Sequence, residues 1–422
     1  ISTILGSNLL LEHAQKNLME FSIIAKLFEK MENTSKRIEL TNILVELLKK
    51  TPKKIIPNVV YLLQGIIRPN FEGVELGVAE KLAIRAISKS SGLPIKKIED
   101  DYRNCGNLGL TASNILKLKT QTTFTAEKIT VERVYETLFK IANLEGKGSQ
   151  DLKMKYISSL LNDATPLEAK FVMNILLSTL RLGIAENTVM DALAIAFTGK
   201  KENREQVEYA YNVSSDLGKV SKVVAEEGIN GIKKFQVSLF NPIRPMLADR
   251  IKSEEEAIKK MPSEFAAEYK LDGERVQIHK QSDKIILFSR SLENITKYYP
   301  DIVENIGNSL HVDEGIFEAE IVAINENTGE FLPFQELMHR RRKYKLKKAV
   351  LQYPITVNFF DVLYFDGKNC LNLKYSERRK ILENSVKENS FAKLVPMAIV
   401  KNENEVERSE ERRVGKECRS RW

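Results

Sequence analysis

Glu268-Tyr269-Lys270-Leu271-Asp272-Gly273-Glu274-Arg275 sets one lysine among carboxylates and an arginine, beside a glycine that lets backbone come close. An amine placed this way can attack the phosphorus of a nucleoside triphosphate. A free lysine is protonated at neutral pH and does not attack. It becomes a nucleophile when burial or a cationic neighbour lowers its pKa. Arg275 and a bound metal ion are the candidate sources of that positive field. The alternation of residues 265–278 predicts strand, tight turn, strand, with Asp272-Gly273 as the turn. Read alone, a Lys-x-Asp-Gly-x-Arg string fits an ordinary charged hairpin as well as it fits a site.

Three later segments change that balance. Phe288-Ser289-Arg290-Ser291 precedes Asn294, Thr296 and Tyr299-Pro300. Phe317-Glu318-Ala319-Glu320-Ile321-Val322-Ala323 follows, and then Phe359-Phe360-Asp361-Val362-Leu363-Tyr364-Phe365-Asp366-Gly367. With the lysine segment, in this order and spacing, they resemble the ATP-dependent DNA ligases of archaea and eukaryotes, within the covalent nucleotidyltransferases. The resemblance implies that Lys270 forms a phosphoramidate with AMP. It implies that Glu268 reads the adenine or holds Lys270, that Arg275 and Arg290 clamp sugar or phosphate, and that Phe360 stacks on the base. Glu320 is implied as a ribose or metal ligand, with Asp272 as a second metal candidate. Magnesium is expected, because phosphate charge must be neutralised and oxygen ligands suit it. One departure is Ala319, where the family has glycine; its methyl is expected to crowd the nucleotide.

These segments need elements to hold them. Up to about residue 238 the pattern is helical: Ile38, Leu40, Ile43, Leu44, Leu47 and Leu48 recur at helical spacing until Thr51-Pro52. Similar runs cover 59–63, 79–87, 134–142, 157–161, 168–182 and 189–197. Leu239-Phe240-Asn241-Pro242-Ile243-Arg244-Pro245 reads as an extended linker, and strand patterns dominate after it, at 276–278, 285–288, 316–323 and 355–360. The expected organisation is an all-α domain over 19–238, then an α+β nucleotidyltransferase (adenylation) domain with antiparallel sheets over 239–407.

The helical half has its own loop, Glu145-Gly146-Lys147-Gly148-Ser149-Gln150, followed by Lys153 and Lys155. Glycines around a lysine expose backbone N–H groups, and a helix starting at Ser149 aims its N-terminus outward; both favour phosphate. A helix cap with solvated lysines explains the same string. Together with Glu168-Ala169 and Leu180-Arg181-Leu182-Gly183-Ile184-Ala185-Glu186, the loop resembles the DNA-binding domain of the same ligases. Lys147, Gly148, Ser149, Gln150, Lys153 and Arg181 are thereby implied as DNA contacts, mostly to phosphate and sugar. Asn174 stands where the family often has arginine, so one phosphate contact is expected to be missing. Residues 339–348 hold seven basic residues and no acidic one, a run that reads as a DNA-facing ridge or a solvated face.

Composition agrees without deciding. A formal net charge of +8 and a pI near 9.0 favour a polyanionic partner. Cys105, Cys370 and Cys418 lie far apart, which argues for a reducing cytoplasm and against a disulfide framework or a zinc site. No stretch is long and apolar enough to span a membrane. Residues 1–18 match nothing in the family pattern and are expected to be upstream sequence, with Met19 as the start. Residues 408–422 lack an apolar period and resemble a translated sequencing-library adapter, so the gene's own sequence is expected to end near Glu407. On that expectation the adenylation domain is incomplete, the family's OB-fold domain is absent, and the fragment does not seal nicks.

The expected function is ATP-dependent sealing of nicked duplex DNA through lysyl-AMP, by a cytoplasmic monomer. The family's sliding-clamp partner has no recognisable motif here. An RNA ligase or a capping-type guanylyltransferase shares the lysine motif, and a non-catalytic DNA-binding protein is the third class.

Overall fold

Thr51-Pro52 ends the helix Arg37–Lys50, where the sequence places the stop. The computed structural model describes residues 18–118, 127–325, 327–341 and 346–407. The chain divides into two compact units, Ile1–Gln236 and Val237–Trp422.

The described part of the first unit is built of helices. Its core is a continuous apolar cluster in which Phe28 and Phe171 meet edge to face, with ring centroids 5.3 Å apart. Helix Pro166–Leu176 starts at a reciprocal cap: Thr165 Oγ1 accepts from the Glu168 N–H, and Glu168 Oε2 accepts from the Thr165 N–H. Glu168 is thereby consumed as a buried cap. The run expected to be helical through 182 stops at Leu176. Ser178 takes a φ of 55°, and the Thr179 N–H bonds the Asn174 carbonyl at 2.8 Å, which closes the helix end. Asn174 itself is buried against Gly109, with its Oδ1 accepting from Thr179 Oγ1. It points into the protein, so it does not stand at a phosphate-contacting surface.

The second unit carries the strands: β1 Phe265–Glu268, β2 Glu274–Gln281, β3 Lys284–Ser289, β4 Glu314–Ala323, β5 Ile355–Phe365, β6 Lys368–Asn369, β7 Ala392–Leu394 and β8 Met397–Val400. The main sheet runs β3-β2-β4-β5-β6 with antiparallel pairs, and β7 lies parallel to β5. β1 pairs only with β8, in a separate two-stranded sheet. This corrects the hairpin expectation. β1 and β2 do not pair, and residues 269–273 cross from one sheet to the other.

Alternation along the strands divides the main sheet into two faces. Val276, Ile278, Phe317, Ala319, Ile321, Val357 and Phe359 point into one apolar core. Arg275, Gln277, His279, Glu318, Glu320, Asn358 and Phe360 alternate with them and occupy the other face. Ala319 is fully buried in the core, so its methyl points away from the face that carries Glu320. The expected crowding of a nucleotide by Ala319 does not occur.

Candidate active site

The crossing segment brings Lys270 to the edge of the polar face. Leu271 anchors it by packing with Val322 and Val395, and with the rings of Tyr269, Phe331 and Phe360. The Lys270 side chain is exposed, and its ammonium reaches the Leu271 carbonyl at 3.5 Å. Gly273 follows, and its amide lies near enough to the Glu320 carboxylate to favour the ionised form.

Glu320 is half-buried, and its carboxyl is pushed up to about 7. Burial is the main cause; Lys270, Arg275 and the Gly273 amide pull down, and Asp272 pushes up. Those couplings place Lys270, Asp272 and Arg275 within electrostatic reach of Glu320. Asp272 is exposed, with Oδ2 at 3.5 Å from the Phe334 N–H.

Arg275 pairs in register with Glu320, but its Nε donates diagonally to Glu318 Oε2 at 2.7 Å. Burial pushes the Glu318 carboxyl up, while Arg275 and Gln277 oppose it. The Arg275 guanidinium also lies 5.4 Å from the centre of the Phe360 ring. Arg290 sits in the tight turn after β3, where Leu292 has a φ of 65°. It is exposed, and lines a small pocket with Arg275, Glu318, Gln277, Ile243 and Pro245. Lys270, Arg275, Arg290, Glu320 and Phe360 therefore gather at one face of one sheet.

Sequence reasoning missed the groups that hold this face. Gln277 Nε2 donates to Glu318 Oε1 at 2.8 Å and to the Ile243 carbonyl at 3.0 Å. Its Oε1 accepts from the Ile243 N–H at 2.7 Å. His279 accepts from the Phe240 N–H on Nδ1 at 2.9 Å, so Nε2 carries the proton and donates to Gln277 Oε1 at 2.8 Å. Full burial holds the imidazole neutral, with its pKa down at about 3. The segment through Phe240 and Ile243 is thus stapled to the polar face of β2. The available signal was the period-2 spacing of Arg275, Gln277 and His279.

Glu268 ends β1 two residues before Lys270. Tyr375 and Arg379, from the helix Tyr375–Ser385, both donate to its Oε1. On the same helix Arg378 grips Asp361 with two bonds, of 2.7 and 3.1 Å.

In the first unit, Gly148 has a φ of 87° and precedes helix Ser149–Asp163, the start expected from the sequence. No side chain caps that helix start. Lys147, Gly148, Gln150 and Arg181 are exposed and Ser149 is half-exposed. Lys153 is different: it is buried, and its ammonium donates to the Leu76 carbonyl at 2.9 Å, bracing that loop. In the basic run, Arg340 is fully buried and binds Asp301 through both guanidinium nitrogens, at 2.7 and 3.3 Å. It is a core cation, not part of a ridge. Arg342, Lys343 and Lys345 lie outside the described residues, as do the side chains of Arg341 and Lys347.

Among the described residues no group of three or more His, Cys, Asp or Glu side chains is arranged to hold a metal. No described helix is long and apolar enough to cross a membrane.

Residues 20–194 match the family described as DNA ligase N terminus, and residues 245–419 match the ATP dependent DNA ligase domain. A DNA ligase of Nitrosopumilus maritimus is 71% identical over 92% of this chain and 66% of its own length. A DNA ligase of Cenarchaeum symbiosum is 62% identical over 95% of this chain and 68% of its own length. A DNA ligase of Saccharolobus solfataricus is 44% identical over 89% of this chain and 64% of its own length. The chain thus spans about two thirds of the curated relatives it matches. A two-sheet unit with its lysine on the crossing, following in sequence a helical unit that matches the ligase N terminus, places this chain in the ATP-dependent DNA ligase family.

Proposed function

We propose that the chain carries the DNA-gripping and nucleotide-transfer parts of an enzyme that seals nicks in duplex DNA through lysyl-AMP at Lys270. The observation that carries this reading is the convergence of Lys270, Arg275, Arg290, Glu320 and Phe360 on one sheet face. Lys270, once neutral, attacks the α-phosphorus of ATP: a P–N bond forms, the bond to the β-phosphate oxygen breaks, and pyrophosphate leaves. AMP then passes to the 5′-phosphate of the nick, and the 3′-hydroxyl displaces it.

Exposure suits Lys270 to a reacting group that must meet two successive partners. Arg275 is held by Glu318 and Arg290 faces the same pocket, so both are placed to neutralise phosphate or grip ribose. Phe360 offers a half-buried ring to the base. Magnesium fits the donors present. Such an ion takes one or two carboxylates and completes its shell with water and phosphate oxygens, and Glu320 with Asp272 supplies that pair. When bound it would offset phosphate charge.

The partner is nicked duplex DNA, met in the first unit by Lys147, Gly148, Ser149, Gln150 and Arg181, with phosphate as the target of the uncapped helix start. We place the enzyme in the cytoplasm as a monomer; Cys105 and Cys370 are free thiols, as a reducing compartment requires.

The test is incubation of the chain with α-labelled ATP and magnesium. An acid-labile adduct should form and be lost in Lys270→Ala. It should also be lost in Lys270→Arg, because guanidinium stays protonated. A labelled Lys270→Ala protein would sink the assignment, and label from GTP in preference to ATP would favour a capping-type enzyme.

A further inference from the structure

We propose that Tyr375 and Arg379 are positioning residues that set the base preference of the site, by fixing Glu268 as a carboxylate with one oxygen held and the other open. The inference rests on the reading of Glu268 as the group that meets the base.

The Glu268 side chain is 25% exposed. Its Oε1 accepts from the Tyr375 hydroxyl and from Arg379 Nη1, the latter at 3.2 Å. Its Oε2 accepts no hydrogen bond from the described residues. Tyr375 and Arg379 are four apart on one helix, so they share a face and act on Glu268 together. Arg379 cannot swing away freely. It is 8% exposed, and it also donates to Glu383 Oε1 at 2.8 Å and to the Val395 carbonyl at 3.1 Å. The protein therefore occupies one oxygen of Glu268 and leaves the other without a hydrogen bond from the described residues, two residues from the reacting lysine.

The chemistry of the two purines makes this arrangement selective. An ionised carboxylate only accepts hydrogen bonds, whereas a protonated one also donates. The 6-amino group of adenine donates, and the 6-oxo group of guanine only accepts. A Glu268 held ionised takes adenine and repels guanine; a protonated Glu268 loses that distinction. Burial pushes the Glu268 carboxyl up, and Asp361 on β5 pushes the same way, although Arg378 neutralises Asp361. Tyr375 and Arg379 pull the carboxyl down. The Tyr375 hydroxyl is itself raised by burial and by Glu268, so it remains a donor.

The experiment compares the chain with Tyr375→Phe and Arg379→Lys, reading lysyl-nucleotide formation from labelled ATP and labelled GTP as a function of pH. Tyr375→Phe removes only the hydroxyl and keeps the ring that Arg378 lies over at 6.0 Å. Loss of one hydrogen bond to a charged acceptor should raise KM for ATP about tenfold, with the maximal rate within about twofold. The ATP-over-GTP preference should fall by a similar factor and recover in part as pH rises. Unchanged KM and preference in both variants would overturn the proposal. So would equal losses for ATP and GTP with an unaltered pH profile in variants whose thermal unfolding matches the parent, because the two residues would then act without regard to the base. Glu268→Ala separates the two layers. If it too keeps the parent preference, Glu268 does not read the base and the inference falls with it. If it loses preference while Tyr375→Phe and Arg379→Lys retain it, this inference alone fails. A parent chain that takes label from neither nucleotide overturns the proposed activity and this inference together.

Discussion

Gly273 and Ile321 meet backbone to backbone: a Cβ on Gly273 would lie 2.2 Å from the Ile321 carbonyl oxygen. The φ of Gly273 is not positive, so the residue is required for space and not for an unusual conformation. The approach lets its amide reach the Glu320 carboxylate.

Gly273→Ala should therefore push the crossing segment off β4 and move Lys270 relative to Glu320. A misplacement of about 1 Å costs on the order of 100-fold in rate. We expect that loss in lysyl-AMP formation, read by label incorporation, with the helical unit unaffected by circular dichroism. Full labelling by Gly273→Ala would show that the contact is not needed.

Glu320 sets a pH dependence. Its folded-state pKa of about 7 lies above the ordinary glutamate value of 4.5. The folded chain thus holds this proton more tightly than the unfolded chain. Its contribution to stability is present below 4.5 and is lost as pH rises through about 7. Glu320→Gln should remove that slope from the unfolding free energy. Divalent cation binding needs the ionised form, so it should strengthen as pH rises through about 7 and level off above it. A flat cation affinity across that range, measured by calorimetry, would contradict the assignment.

The staple at His279 makes a separate prediction. His279→Ala leaves the Phe240 N–H without its acceptor and removes a donor from Gln277. The Phe240 N–H left unpaired costs about 1–3 kcal/mol and the lost bond to Gln277, which keeps the Ile243 N–H, about 0.5–1.5 kcal/mol, so destabilisation of roughly 2–4 kcal/mol is expected in denaturant melts. The native imidazole has a depressed pKa, near 3, so its stabilising part is present above the ordinary histidine value and is lost as pH falls toward 3. Wild-type stability in His279→Ala would show that the segment is held elsewhere.

The basic residues of the first unit should separate into two kinds. Lys147→Ala and Arg181→Ala remove exposed cations. Each should weaken binding to nicked duplex and reduce the slope of log affinity against log salt by about one. Lys153→Met removes a buried brace on the Leu76 carbonyl. It should lower thermal stability and leave that slope unchanged. A salt slope altered by Lys153→Met at full stability would place Lys153 on the DNA.

The sequence alone was enough for what depends on neighbours a few residues away. Helical spacing and the Thr51-Pro52 stop located Arg37–Lys50, and Gly148 marked the start at Ser149. Alternation located β2 to β5, because a strand must turn every second residue to the core.

What the sequence could not carry is which strands pair and which distant groups meet. Asp272-Gly273 looks like a hairpin turn because a local pattern shows two strands but not their partners. The tertiary structure sends β1 to β8 and β2 to β3 and β4, so the turn becomes a crossing between sheets. Ala319 looked like an obstacle until the sheet turned its methyl into the core. Arg340 read as one more surface cation until Asp301 drew it inside. Glu268 finds Tyr375 and Arg379 from 107 and 111 residues away. Such contacts follow from packing a whole core at once, and no window of sequence contains the surfaces that decide them.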